Sequence, residues 1–277
     1  MTTKRKVLFL SGVFLMALGV GYLSYWGVTS WRAKRDAEEL QSLAFSETAT
    51  TALETQTSVA DTSVSVSSES ETGSTETTEE KEPYVSPIDF EALWAVNSDI
   101  YAWLQIDDTD ISYPILQHPT DNSYYLNHTP ERKSGFPGSI FTYNVNAKDF
   151  TDFNTVIYGH RMDNGQMFSN LKFYRDETYL KEHRTIHVFL PDRELVYTVF
   201  AAIVYDDRLI TSYFDNDDPY ACLGYLESIY QNRNMNSHIL KDIAVTVEDR
   251  VITLSTCIKW EKQNRYLVVA VLTNEIT

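Results

Sequence analysis

Hydrophobic positions divide this chain into three stretches of different character. From Val7 to Val28 the residues are almost all apolar and none is charged. A helix rising about 1.5 Å per residue over that length spans a hydrocarbon core of roughly 30 Å. From Ser46 to Pro87 the chain is Ser, Thr and Glu with few large apolar residues. Such a segment buries too little surface to offset the entropy of ordering it, which predicts a disordered stalk. From Ser86 to Thr277 short apolar blocks alternate with turn residues, and that length is ample for one core.

Within this last stretch the blocks read mainly as strands. Strand-like runs fall at Ala102 to Ile106, Ile111 to Gln117, Ser139 to Tyr143, Thr155 to Tyr158, Thr185 to Leu190, Leu195 to Tyr205, Ala244 to Val247, Arg250 to Thr256 and Arg265 to Leu272. Asp107-Asp108, Asn144 to Lys148, Pro191-Asp192 and Glu248-Asp249 supply turn signals between several of them. Helical patterns fall at Pro87 to Trp94 with Ser86 as N-cap, at Met167 to His183, and at Pro219 to Asn232. The number of strands and their spacing predict a mostly β fold, a barrel or sandwich with helices on its rim.

The first apolar run predicts a membrane anchor. Lys4, Arg5 and Lys6 precede it, and Arg32, Lys34 and Arg35 follow it, so the flanking charges are nearly balanced. A cleaved signal peptide would have a shorter apolar core and a small-residue cleavage site. This run is longer and ends among Tyr22, Tyr25, Trp26 and Trp31, aromatic residues of the kind that sit at a membrane interface. The predicted order is residues 1–6 in the cytoplasm, 7–28 as the span, 29–85 as a juxtamembrane segment and stalk, and 86–277 as a folded domain outside the cell membrane.

The net charge of −16 and the absence of a basic stripe argue against a nucleic-acid partner. The acidic run Asp215 to Asp218 fits no calcium-loop spacing and reads as a solvated turn. The two cysteines, Cys222 and Cys257, could pair outside the cell, but Cys222 lies in a helical pattern and reads as a small buried residue. No Cys/His spacing resembles a zinc site, and no motif calls for a cofactor.

Candidate chemistry concentrates at two strand ends. Val251 to Cys257 reads as a buried strand, and Arg265 opens the next one. A hairpin with a loop of about seven residues sets thiol and guanidinium side by side, and a neighbouring cation favours thiolate. Thr155-Val156-Ile157-Tyr158-Gly159-His160 is a β-branched strand ending in Gly then His, which would present an imidazole suited to proton transfer. His118, His128, His183, His187 and His238 sit in turns, at a helix end, in a strand and in a polar loop, where packing or surface roles account for them.

The segment Thr253-Leu254-Ser255-Thr256-Cys257 followed by Arg265 resembles the active-site signature of sortases, in a spelling similar to class B. Tyr158-Gly159-His160, Ile111 to Ile115, Asp121 to Leu126 and Gly138 to Phe141 resemble the family's other motifs in the same order. The resemblance implies a closed β-barrel of about eight strands with flanking helices. It also implies transpeptidation at a Gram-positive cell surface. Cys257 would attack a Thr carbonyl in the C-terminal sorting motif of a surface protein, His160 would move protons, and Arg265 would hold the substrate and its oxyanion. Ser255 and Thr256 would line the substrate pocket, with Ser255 on the face of Cys257. The acceptor would be an amine, either of a cell-wall precursor or of a pilin lysine. A thiol hydrolase using the same residues, or a non-enzymatic anchored module, are the competing readings.

Overall fold

The structure, a computed structural model, describes residues 3–45, 83–259 and 261–277, without the side chains of residues 3–14 and 262. The expected stalk lies outside these residues as far as position 82. The chain forms two compact units, Met1–Leu40 and Gln41–Thr277.

Helix α1 spans Thr3–Ala44 without a break. The expected span from Val7 to Val28 falls inside it, and the side chains of its first eight residues, Val7 to Phe14, are not described. Among the described residues no helix is long and apolar enough to cross a membrane. The helix also takes in residues 29–44, which the sequence reading left without structure. Good helix formers there, Ala33 to Leu40, and an i,i+4 pair between Lys34 and Glu38 (3.7 Å) account for it.

In the second unit, α2 covers Phe90–Val96, α3 Glu177–Glu182, α4 Ile210–Tyr213 and α5 Pro219–Tyr230. The strands are β1 (Ile100–Ile106), β2 (Ser112–Leu116), β3 (Ile140–Thr142), β4 (Asn154–Tyr158), β5 (Thr185–Phe189), β6 (Glu194–Asp206), β7 (His238–Ile239), β8 (Val251–Ile258) and β9 (Glu261–Ile276). Their order is β5-β1-β2-β3-β4-β8-β9-β6-β7, and β5 also pairs with β6. Eight strands therefore close into a barrel, and two-residue β7 adds to the outside of β6. Closure leaves no exposed edge on the eight main strands.

Strand alternation explains why β8 and β9 read as continuous apolar runs. Ile252, Leu254, Val268 and Ala270 join one buried cluster. Their neighbours Val251, Leu267, Val269 and Val271 join a second, with Cys222, Tyr225, Leu226 and Ile229 of α5. Both faces of these strands are covered, so both must be apolar.

Several expectations need correction. The folded unit begins before Ser86: Phe45 packs edge-on against Trp103 at 5.8 Å, and Asp89 N donates to Ala44 O (2.8 Å). Asp89, not Ser86, caps α2, accepting from Ala92 N. The pattern from Met167 to His183 is two elements. A 3₁₀ segment, Phe168–Arg175, precedes α3, and the Asp176 carboxylate caps α3 by accepting from Thr178 N and Tyr179 N. Ala244 to Val247 is not a strand. Asp249 Oδ2 accepts from both Thr246 N and Thr246 Oγ1, which ties the segment into a turn, while Val245 and Val247 pack on the α5 cluster. The acidic run at Asp215 to Asp218 ends in a cap, with Asp218 accepting from Tyr220 N at the start of α5.

One buried polar chain crosses these layers. Thr253 Oγ1 of β8 donates to Asn154 Oδ1 of β4 (2.8 Å) and lies 2.6 Å from the Tyr225 hydroxyl of α5, which therefore donates to it. Thr253→Val keeps the shape but strands two buried polar groups. We expect a loss of about 1–3 kcal/mol in denaturant unfolding, and a loss under about 0.5 kcal/mol would show that the chain does not matter.

Candidate active site

Strand β8 lies between β4, which runs parallel to it, and β9, which runs antiparallel. Cys257 is opposite Arg265 across the β8–β9 pair. The expected loop of about seven residues is not present in that form. Both strands extend past this pair, Ile258 is opposite Glu261, and the register shift between Cys257 and Ile258 leaves Lys262, Gln263 and Asn264 as extra residues on β9. This bulge bends the end of the hairpin. Cys257 is exposed, whereas Val251 to Thr256 are all buried. Arg265 is half-buried, and its Nη1 donates to Asn264 O (3.1 Å).

The β4–β8 pairing runs from Asn154 opposite Val251 to Tyr158 opposite Ser255. Beyond it Gly159 N donates to Ser255 O (3.1 Å), and Thr256 Oγ1 donates to Gly159 O (2.8 Å). These bonds carry Gly159 and His160 along the end of β8 that bears Cys257. His160 is half-buried, and its Nε2 lies 2.9 Å from Leu126 O. A carbonyl only accepts, so Nε2 carries the hydrogen and Nδ1 is the basic nitrogen of the neutral ring. The Phe136 ring packs on the imidazole at 5.1 Å between centroids.

Thr256 and Cys257 border a pocket together with Arg161, Lys172, Arg175 and Lys259. Ser255 does not border it. Its side chain is buried, and its carbonyl accepts from Gly159 N.

Two glycines make this end of the barrel possible. A Cβ on Gly159 would collide with Ile140 and come within 2.6 Å of the Phe168 ring. Gly138 has φ +70°, and a Cβ there would lie 2.5 Å from Leu126 O, the same carbonyl that accepts from His160.

The remaining histidines are held in local contacts. His183 bonds Asp108 and stacks on Tyr179, His128 stacks on Tyr124, and His238 Nε2 donates to Arg175 O. His187 lies 2.6 Å from Glu194, which raises its pKa. Both cysteines are free, and Cys222 sits on the buried side of α5, where burial pushes its thiol pKa up. Leu126 and Phe136 were not anticipated. Leu126 acts through its carbonyl, which every residue has, and the motifs at Asp121 to Leu126 and Gly138 to Phe141 mark only the neighbourhood.

Gly138→Ala imposes both a left-handed backbone and a clash with the carbonyl that holds His160. We expect it to cost about 1–3 kcal/mol of stability. Gly135→Ala has open space at the Cβ and is expected to stay within about 0.5 kcal/mol. Equal losses in the two variants, measured by denaturant unfolding, would contradict this account.

Residues 104–273 match the family model described as Sortase domain. A Sortase B of Listeria monocytogenes is 37% identical over 165 residues, covering 60% of this chain and 65% of that protein. A Sortase B of Staphylococcus aureus is 33% identical over 170 residues, covering 61% of this chain and 67% of that one. The chain thus spans about two thirds of the length of these relatives, slightly less for the first. The solved Staphylococcus aureus sortase B–substrate complex aligns with TM-score 0.58 at 31% identity, covering 67% of this chain and 84% of that one. A Streptococcus pyogenes class B sortase involved in pilus biogenesis aligns with TM-score 0.57 at 29% identity, covering 67% and 98%. With the barrel topology, the Cys257–Arg265 pair and these likenesses together, the chain belongs to the sortase family, among the class B sortases.

Proposed function

We propose that this chain is a cysteine transpeptidase that cleaves a C-terminal sorting motif and joins the acyl part to an amine. The observation that carries the proposal is the strand arrangement: Cys257 is opposite Arg265 on one side, and His160 follows the strand paired on the other. Cys257 Sγ, as thiolate, attacks the carbonyl of the scissile amide. The C–S bond forms, the C–N bond breaks, and His160 supplies the proton that the leaving amine takes. The incoming amine then attacks the thioester, gives its proton back to His160 and releases Sγ. With Nε2 engaged by Leu126 O, this traffic would run through Nδ1.

Arg265 serves as the donor to the oxyanion. Its rigid fork suits a site where negative charge develops, and its backbone is held between β8 and β6, where it is also opposite Tyr205. Thr256 borders the pocket and contributes to its wall. Ser255 supports the site through its backbone bond to Gly159.

The uncharged run Val7 to Val28 and the aromatic residues at its end support an anchor that holds the catalytic unit at the outer surface of a cell membrane. The substrates are then surface proteins bearing a sorting motif, and the acceptor is an amine of a cell-wall precursor or of a pilin.

Incubating the chain with a library of sorting-motif peptides tests the reading by intact mass spectrometry. We expect a thioester on Cys257, lost in Cys257→Ala and converted to an amide product when an amine is supplied. Arg265→Lys is expected to lower kcat/KM about 100-fold or more. No adduct with any peptide, or an adduct on Cys222, would refute the proposal, as would hydrolysis alone in the presence of amines. On cell fractionation the chain should follow the membranes, and recovery in the soluble fraction would remove the anchor.

A further inference from the structure

The pocket beside Cys257 is cationic in a chain that is strongly acidic. Arg161, Lys172, Arg175 and Lys259 border it, against one carboxylate, Glu261. The protein as a whole carries a net charge of −16. Two of the four cations are already engaged, since Arg161 and Lys259 both pair with Asp163 at 3.1 and 2.9 Å. Lys172 and Arg175 differ. Both project from the 3₁₀ segment, and both are exposed. Arg175 stacks over the Tyr266 ring at 5.3 Å, and Lys172 lies over Phe173 at 5.4 Å. Among the described residues neither makes an ion pair. Tyr266 is opposite Thr256, one step along the ladder from the Cys257–Arg265 pair. The two cations without an ion pair therefore line the same pocket as Cys257.

We propose that Lys172 and Arg175 bind a carboxylate on the acceptor, so that this enzyme favours amines that carry an acidic group close to the nucleophilic nitrogen. The inference rests on the transpeptidase reading and narrows its second substrate. Positive charge near an amine disfavours its ammonium form. That field opposes protonation of a leaving amine but assists deprotonation of an incoming one, so it serves the second half of the reaction. It also repels an isolated lysine ammonium. A carboxylate on the acceptor offsets that repulsion and, through the planar fork of Arg175, sets the orientation of the attacking nitrogen. Aminolysis balances without a further reactant: the C–N bond forms, the C–S bond breaks, Sγ leaves as thiolate and His160 takes the proton. An amine with a neighbouring carboxylate fits this pocket better than an isolated lysine side chain.

The test uses the full chain in detergent with a peptide that acylates Cys257. Thioester formation and transfer are timed separately. The acceptors are glycine and triglycine, each against its C-terminal amide. We expect kcat/KM for transfer to favour the free carboxylate by about tenfold at one or both lengths. The preference should shrink in high salt. In Lys172→Gln/Arg175→Gln it should fall to within about twofold, with thioester formation unchanged within about twofold and thermal stability retained. Lys181→Gln, which removes a cation paired with Glu177 on α3, should leave the preference intact. A ratio near one in the unaltered chain, or a ratio that the double substitution does not change, would overturn the inference. So would slower thioester formation in the variant, because the pocket would then belong to the acyl donor. Failure to form any thioester would instead refute the transpeptidase reading and take this inference with it.

Discussion

The parallel ladder between β4 and β8 is the constraint on which the rest of the site depends. It pairs Asn154 to Tyr158 with Val251 to Ser255, residues about a hundred positions apart in the chain. A slip of one residue would turn every side chain of β8 to the opposite face and bury Cys257. Interactions along it prevent the slip. In its middle Thr253 is held between Asn154 and Tyr225, and just beyond its end Gly159 is held by Ser255 and Thr256. Barrel closure through β5 and β6 removes the freedom that an open sheet would have to shear.

From that ladder the chemistry follows by position. The same strand carries six buried residues and then one exposed thiol, so Cys257 is reachable while its backbone is rigid. Cys222 shows the opposite case: a thiol on the buried side of α5, with a pKa raised by burial, is suited to packing and not to attack. His160 gains its orientation from outside the ladder, from the Leu126 carbonyl, which in turn needs Gly138 to leave room. The imidazole is thus fixed by the barrel on one side and by the segment before β3 on the other.

Much of this was legible in the sequence, for a physical reason. Strands buried on both faces must be apolar and β-branched, so β4, β8 and β9 announced themselves, and the sequence spacing of Cys257 and Arg265 sufficed to set them side by side. What escaped was decided by side chain–backbone bonds that pattern does not encode. Asp176 divides one helical stretch into two, Asp249 turns a strand-like run into a turn, and Asp89 moves the start of α2. The bulge after Cys257 escaped because its register depends on how far both strands continue beyond the pair. The contribution of residues 41–45 was hidden because the folded unit resumes only beyond a long polar segment. In the candidate site the ionisable and nucleophilic groups were visible as residue types. The Leu126 carbonyl was not, since a backbone group has no signature of its own, and the cationic pocket gathers residues from three separate segments.

The hydrogen bond to the Leu126 carbonyl holds His160 as the tautomer with hydrogen on Nε2 and Nδ1 free of it. Two-bond ¹H–¹⁵N correlation spectra of the chain labelled at histidine nitrogen, assigned with His160→Gln, report which ring nitrogen carries the hydrogen. The account predicts a neutral His160 protonated at Nε2, with that nitrogen showing the shift of a hydrogen-bonded donor. A neutral ring protonated at Nδ1 would contradict it.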